Sequence, residues 1–160
     1  MIIETIRMWQ FSKMEKAISS LDYLLKSAPP EMLNTVRDGG DGWTALEVMC
    51  HMRDFEAIFL ERSRRTVEQD NPALPFPDPN TLVSSNNYIA DDMRDVFDTW
   101  KKHRENHLVF LRELSTDEAL WERPAQHPVR GRFTLHDQLF LTAWHDMNHI
   151  EQIAHILRPA

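Results

Sequence analysis

Cysteine and long apolar runs are the two features that this sequence most clearly lacks. Cys50 is the only cysteine among 160 residues, so no intramolecular disulfide can form and a reducing compartment is expected. Residues 1–18 mix charged and apolar side chains and lack the uninterrupted apolar core of a signal peptide. Nowhere do about 18 apolar residues follow one another, as a membrane-spanning helix requires. The sequence therefore predicts a cytoplasmic protein without a membrane partner.

Basic residues are also in deficit. Lysine and arginine total 18 against 25 aspartates and glutamates, which gives a formal net charge of −7. This balance offers no general attraction to phosphate backbones, so nucleic acid is not an expected partner. The hydrophobic fraction of 42% and the charged fraction of 27% are ordinary for a globular protein. The partner expected instead is a small-molecule substrate.

Glycine is scarce, and prolines mark the predicted connections. The chain has 4 Gly and 9 Pro, and its chain-breaking residues cluster in the segments 27–42, 70–86 and 123–132. Apolar residues recur at helical spacing between these segments, in the stretches 3–25, 44–59, 89–114 and 134–157. No segment alternates with a period of two for long enough to indicate a strand.

These four amphipathic stretches predict an all-α fold, a four-helix bundle formed by one domain over residues 1–160. The connections 27–42 and 70–86 exceed the roughly two to eight residues usual between neighbouring bundle helices. We therefore expect long crossover loops that pass over an end of the bundle or line a site.

Several short signals locate the helix starts. Thr44 with Glu47, and Thr134 with Asp137, have the spacing of capping boxes. A short extra helical turn is expected from Ser115 onwards, in STDEALW.

The last predicted helix contains the segment TAWHDMNHIEQIAHIL, with two imidazoles and a carboxylate close together. His145 and His149 are four residues apart and so are neighbours at the edge of the apolar stripe. Asp146 falls near the middle of that stripe, where a carboxylate needs an ionised or hydrogen-bonding partner, and His149 is one candidate. On the second helix, the side chain of His51 is also expected to face the interior of the bundle. Three imidazoles that face one interior suit Zn²⁺, Ni²⁺, Fe²⁺ or Cu²⁺ and leave coordination positions open, as catalytic sites do.

Two alternatives weaken an assignment from spacing alone. His103 and His107 are also four residues apart, and His107 lies near the apolar stripe of the third helix, which makes it a rival ligand. The charged neighbours of that pair indicate a solvated face, so the spacing favours His145 and His149. The segment HDMNH also approaches the HExxH motif of zinc proteases, but Asp is one methylene shorter than the catalytic Glu of that motif, which counts against a protease.

Other polar residues receive structural interpretations. Cys50 is expected to point away from the neighbouring His51 and to pack in the core. The run ERSRR at 61–65 is expected to be a solvated helix end, and His127 a loop residue.

Two long segments carry a family resemblance. GWTALEVMCHMRDFE (42–56) resembles the second helix of DinB-like (DinB/YfiT-like) proteins, and HPVRGRFTLHDQLFLTAWHDMNHIEQI (127–153) resembles their last long helix, where an HDxxH segment is followed by Gln. The similarity covers the whole chain and the order of its elements. It implies a four-helix bundle, often a homodimer, that holds a divalent metal, typically zinc or nickel, on three histidines. Carried over, the ligands are His51, His145 and His149.

The resemblance leaves the reaction open. Several DinB-like proteins are transferases or isomerases that use a low-molecular-weight thiol such as bacillithiol, mycothiol or glutathione, whereas many others have no established activity. The hypothesis is a metal-dependent enzyme, either a thiol-dependent S-transferase or a hydrolase that activates water. The alternatives are a non-catalytic stress-response protein that binds a metal or small ligand, and a helical interaction module.

Roles for further residues follow from the enzyme hypothesis. Asp146 would orient an imidazole through a hydrogen bond. Trp43 and the loop 70–86 are candidate pocket walls. The side chains that could hold carboxylates of a peptide-like thiol are Arg53, Arg130 and Arg132.

Overall fold

Four long helices dominate the computed structural model, which describes residues 2–114 and 116–158. The long helices are α1 (Ile2–Ser27), α3 (Ala45–Glu68), α5 (Met93–Glu113) and α7 (Leu135–Ile156). The connections contain the short helices α2 (Met32–Thr35), α4 (Pro79–Ser85) and α6 (Glu118–Trp121), and a 3₁₀ turn at Tyr88–Ala90. None of the described helices combines the length and apolarity that crossing a lipid bilayer requires.

The long helices form a bundle in which chain neighbours are not always spatial neighbours. Helix α3 packs mainly against α5 and α7, and α1 packs mainly against α7 and α5. Helices α1 and α3 therefore occupy opposite corners, and the chain between them must cross an end of the bundle. This arrangement confirms the predicted four-helix bundle with long crossover loops.

Both predicted capping boxes are present. The Thr44 hydroxyl accepts from the Glu47 amide, and the Glu47 carboxylate accepts from the Thr44 amide at 2.8 Å. Thr134 and Asp137 make the equivalent pair at the start of α7. Each such cap stabilises a helix by about 1 kcal/mol. Ser115 lies outside the described residues.

A short β-hairpin precedes α7, so the prediction that the chain contains no strand was wrong. Strand β1 (Pro124–His127) pairs with β2 (Gly131–Thr134) in antiparallel register. Each strand has only four residues, too few for a period of two to be recognised in the sequence. Gly131, with a φ of +71°, follows the tight turn between the strands.

The hairpin also holds part of the 70–86 connection in place. The Leu74 amide donates to the Gln126 carbonyl at 2.9 Å, and the Gln126 amide donates to the Pro72 carbonyl at 2.8 Å. Leu74 also packs with Ala125 and Phe133 in a small apolar cluster. The hairpin and the start of this connection therefore form one ordered layer.

Candidate metal centre

Helices α3 and α7 bring three histidines to one point. His51 lies on α3, and His145 and His149 lie one turn apart on α7. One ligand atom from each ring lies within 4.8 Å of the other two. The Nε2 atoms of His51 and His145 are 3.0 Å apart, and the rings of His145 and His149 are centred 4.4 Å apart. The sequence thus located all three members of this cluster.

The spacing of the ring nitrogens fits a shared cation. At metal–nitrogen distances of about 2.0–2.1 Å, two nitrogens on one ion lie roughly 3.0–3.4 Å apart. The observed Nε2–Nε2 distance of 3.0 Å between His51 and His145 falls in this range.

The imidazoles are held in the uncharged form that binds metals. Burial, with the neighbouring His149, lowers the pKa of His51 to about 3. Burial also lowers the pKa of His145 well below its ordinary value, and lowers that of His149. Because protonated imidazole cannot ligate, these shifts favour metal binding at neutral pH.

A hydrogen-bond chain fixes the ring of His149. Gln152 donates from Nε2 to Asp38 Oδ2 at 2.9 Å, which directs its amide oxygen toward His149 Nδ1 at 2.8 Å. That oxygen can only accept, so Nδ1 carries the proton and Nε2 keeps its lone pair for a ligand bond. Asp38 belongs to the connection between α1 and α3, which therefore supports the histidine cluster.

The predicted role of Asp146 was wrong. Its carboxylate does not hydrogen-bond to an imidazole among the described residues, but accepts two bonds from Arg104, at 2.6 and 2.8 Å. A buried carboxylate is best compensated by a full positive charge, and the planar guanidinium matches both of its oxygens. Gln152, the glutamine that follows the HDxxH segment, has the role that the sequence analysis gave to Asp146.

Arg104 connects all four long helices. From α5 it donates to Asp146 on α7, to Glu56 on α3 at 2.5 Å, and to the Met14 carbonyl on α1 at 3.2 Å. Its side chain is fully buried. Burial opposes ionisation of Glu56, but Arg104 and His107 outweigh it and lower the pKa of that carboxyl.

The rival ligand His107 belongs to this polar network. Its Nδ1 lies 2.8 Å from Glu56 Oε1, and its Nε2 lies 3.2 Å from Ser63 Oγ. Both ring nitrogens are thus engaged. Within the ranges 2–114 and 116–158, neither His103 nor His107 joins a group of ligating side chains close enough to hold a metal.

A cavity of about 170 Å³ opens beside the cluster, with His51 and His145 in its wall. The other lining residues are Phe55, Phe59, Arg62, Phe76, Pro79, His127, Arg130, Leu141 and Trp144. Phe76 and Pro79 come from the 70–86 connection, as expected of a pocket wall. Trp43 packs on the His51 ring, with ring centroids 5.1 Å apart.

The three candidate substrate-binding arginines lie in different places. Arg53 pairs with Asp54 and Asp91. Arg132 lines a separate cavity of about 390 Å³ between α1, the hairpin and α7. Arg130 alone of the three lines the cavity beside the histidines.

Cys50 is a packing residue, as the sequence indicates. Its side chain is fully buried, and Sγ lies 3.5 Å from Asp91 Oδ2. Burial raises the pKa of the thiol to about 12, which suppresses the thiolate form.

A four-helix bundle with three histidines converging from two helices defines the class of this protein. The sequence profile of the DinB superfamily matches residues 13–153, and the chain belongs to that superfamily. It is similar in fold to YfiT from Bacillus subtilis, which is described as a probable metal-dependent hydrolase with an unusual four-helix bundle topology. The TM-score is 0.86 and the sequence identity 20%, and the match covers 94% of this chain and 85% of YfiT. It is also similar to TT2238, a four-helix bundle protein, with a TM-score of 0.60 and 17% identity over 91% of this chain and 95% of that one. None of the curated proteins compared with the chain matches it.

Proposed function

We propose that this protein is a metal-dependent hydrolase of small molecules, with His51, His145 and His149 as ligands of a divalent cation. The observation that carries the proposal is the convergence of three uncharged imidazoles within 4.8 Å of one another at the wall of a cavity. Imidazole ligands suit zinc and nickel, the two ions we propose. Such an ion supplies Lewis acidity and makes water reactive near neutral pH.

The surrounding residues would prepare the site for this chemistry. Gln152 holds His149 in the tautomer that leaves Nε2 available. Phe55 packs on the His51 ring with centroids 4.3 Å apart, and Phe59 packs edge-on against the His145 ring at 5.1 Å. These aromatic rings limit water around the ligands and leave the cavity as the route for substrate.

A second candidate reaction is a thiol-dependent S-transfer. No carboxylate lies among the described residues that line the cavity, so this lining offers no carboxylate as a general base for hydrolysis. A low-molecular-weight thiol as co-substrate needs less assistance, because a nearby cation stabilises its thiolate directly. The same three histidines would serve either reaction.

One set of assays separates the candidate functions. The metal content of the purified protein is measured first, followed by hydrolysis of a panel of carboxylic esters with and without a chelator. Consumption of bacillithiol, mycothiol and glutathione is then followed with a halogenated aromatic as electrophile. Chelator-sensitive ester hydrolysis without thiol supports the hydrolase, and thiol-dependent turnover supports the transferase. A bound metal with neither activity supports the non-catalytic binding protein and contradicts the hydrolase.

We also propose that the protein forms a homodimer. Helices α1 and α7 pack together and expose apolar side chains, among them Trp9, at 61% exposure, and Phe140, at 56%. Burial of such side chains against a second copy would stabilise a dimer. A cytoplasmic location also remains proposed, supported by the single cysteine. Sedimentation of the wild type and of Trp9→Lys tests the dimer, since the charged side chain should shift the species toward monomer.

A further inference from the structure

Arg62 is a buried cation that has no anionic partner among the residues that the structure describes. It lies on α3, and its side chain is only 2% exposed, although the charged run at 61–65 predicted a solvated helix end here. Its Nε donates to the Pro75 carbonyl at 2.8 Å, and its Nη2 has no hydrogen-bond partner among the described residues. The guanidinium lies 5.5 Å from the Phe59 ring and 5.7 Å from the Phe76 ring. The ion pairs formed by the described residues do not include Arg62, and no carboxylate contributes to the shift of its pKa.

A second cation lies close to Arg62. Arg130, in the turn of the hairpin, lines the same cavity. It is not a member of any ion pair formed by the described residues. Burial, together with the charge of Arg130, lowers the pKa of Arg62 to about 10. Two like charges in a partly buried cavity repel each other unless an anion compensates them.

His127 adds a neutral donor to these two cations. The amides of Val129 and Arg130 donate to its Nδ1 at 3.2 and 3.3 Å, so the ring proton of the neutral form lies on Nε2. Nε2 is buried and has no partner in the described structure. The side chain is 2% exposed and packs between Phe76 and Phe133, with centroid distances of 4.9 and 5.3 Å. This rigid placement differs from the loop role expected from the sequence.

We propose that the cavity beside the histidine cluster is an oxyanion subsite that binds the carboxylate or phosphate of an anionic substrate through Arg62, Arg130 and His127. The two guanidinium groups supply charge and the imidazole Nε2–H supplies a further donor, a combination that matches the several acceptor oxygens of either group. The inference deepens the proposed function, on which it rests for the reaction. It assigns the substrate class, an organic acid or phosphate ester whose reactive bond lies toward His51 and His145.

Anion binding tests the subsite without any turnover. Isothermal titration of the full-length protein with acetate and with inorganic phosphate, at pH 8, is expected to detect binding of at least one of them. Arg130→Gln, in an exposed turn, should weaken that binding by about tenfold or more, since a charge-assisted hydrogen bond is lost. Arg132→Gln is the matched control, because it removes the same charge from the same hairpin but lines the other cavity. Arg62→Met should also weaken binding, and circular dichroism establishes whether this buried variant folds.

The same titration distinguishes failure of the subsite from failure of the proposed function. Metal-free His145→Ala should still bind the anion, because the arginines and His127 remain. If this variant loses anion binding, or if Arg130→Gln and Arg132→Gln bind as the wild type does, the subsite is overturned. It is equally overturned if neither anion binds. Binding of acetate alone or phosphate alone supports the subsite and identifies the group it takes, even where no ester is hydrolysed.

Discussion

Arg104 and Asp146 form a bidentate ion pair in the middle of the bundle, immediately beside the metal-ligand candidate His145. The two hydrogen bonds measure 2.6 and 2.8 Å, and both side chains are buried. Asp146 precedes the turn of α7 that carries His149. The pair therefore fixes the rotation of α7 about its axis and its position along that axis, where its two histidines face α3.

Loss of Arg104 should destabilise the fold strongly. Arg104→Met would leave the carboxylates of Glu56 and Asp146 buried without their counter-charge, and we expect the free energy of unfolding to fall by about 3–5 kcal/mol. Urea denaturation measures this change. Arg65→Gln, which breaks an exposed pair with Glu61 on α3, is the control and should change stability far less. Equal effects of the two variants would contradict the role given to Arg104.

Loss of one ligand histidine should abolish stoichiometric metal binding. His145→Ala leaves two imidazoles, too few to hold a divalent ion tightly. Elemental analysis after gel filtration should show near loss of metal. His155→Ala, an exposed histidine on the same helix, should retain the wild-type metal content. Retention of metal by His145→Ala would exclude this site.

Gln152 should influence metal affinity without ligating. Gln152→Ala removes the acceptor that fixes the tautomer of His149, and changes of this kind typically weaken metal binding by about 10–100-fold. Competition with a chromogenic chelator measures the affinity. Glu151→Ala, an exposed change at the next residue, should have no comparable effect. An unchanged affinity in Gln152→Ala would show that His149 needs no such support.

The metal-free protein should lose stability as the solution is acidified. The pKa of His51 is about 3 in the folded protein, against about 6.5 in an unfolded chain, so the unfolded state binds more protons between these values. The contribution of neutral His51 to the free energy of unfolding is therefore complete above pH 6.5. It is lost as the pH falls toward 3, by at most about 1.4 kcal/mol per pH unit. The free energy of unfolding, measured by urea denaturation at pH 8, 6 and 5, should depend less on pH in His51→Gln than in the wild type. Identical pH dependence of the two proteins would contradict the low pKa of His51 in the folded state.

The Cys50 thiol should react slowly with aromatic disulfide reagents. Burial raises its pKa to about 12, so very little thiolate exists at pH 8. Since the chain contains no other cysteine, the absorbance change reports this residue alone. Reaction should become fast in denaturing urea, which is the internal control. Rapid labelling of the native protein would show that the α3 core opens readily.

The sequence predicted those parts of the structure that depend on local periodicity. The helical spacing placed His51, His145 and His149 on inward faces, and the capping signals located the starts of α3 and α7. Nothing local to Asp146 indicates that Arg104, 42 residues earlier, turns toward it, because that contact depends on how α5 and α7 are placed across the bundle. The prediction of a solvated helix end at Arg62 was wrong for the same reason, because residues of the 70–86 connection pack over this side chain.

The placement of Arg130 has a consequence for how related proteins could diverge. The metal-ligand candidates and Arg62 stand on long helices, where a change in backbone position would disturb the whole bundle. Arg130 stands in the exposed turn of a short hairpin, each strand of which has four residues. Exchange of that hairpin between homologues should therefore alter anion binding at the proposed oxyanion subsite while the histidine cluster keeps its geometry, which makes the hairpin a suitable segment for redesign of specificity.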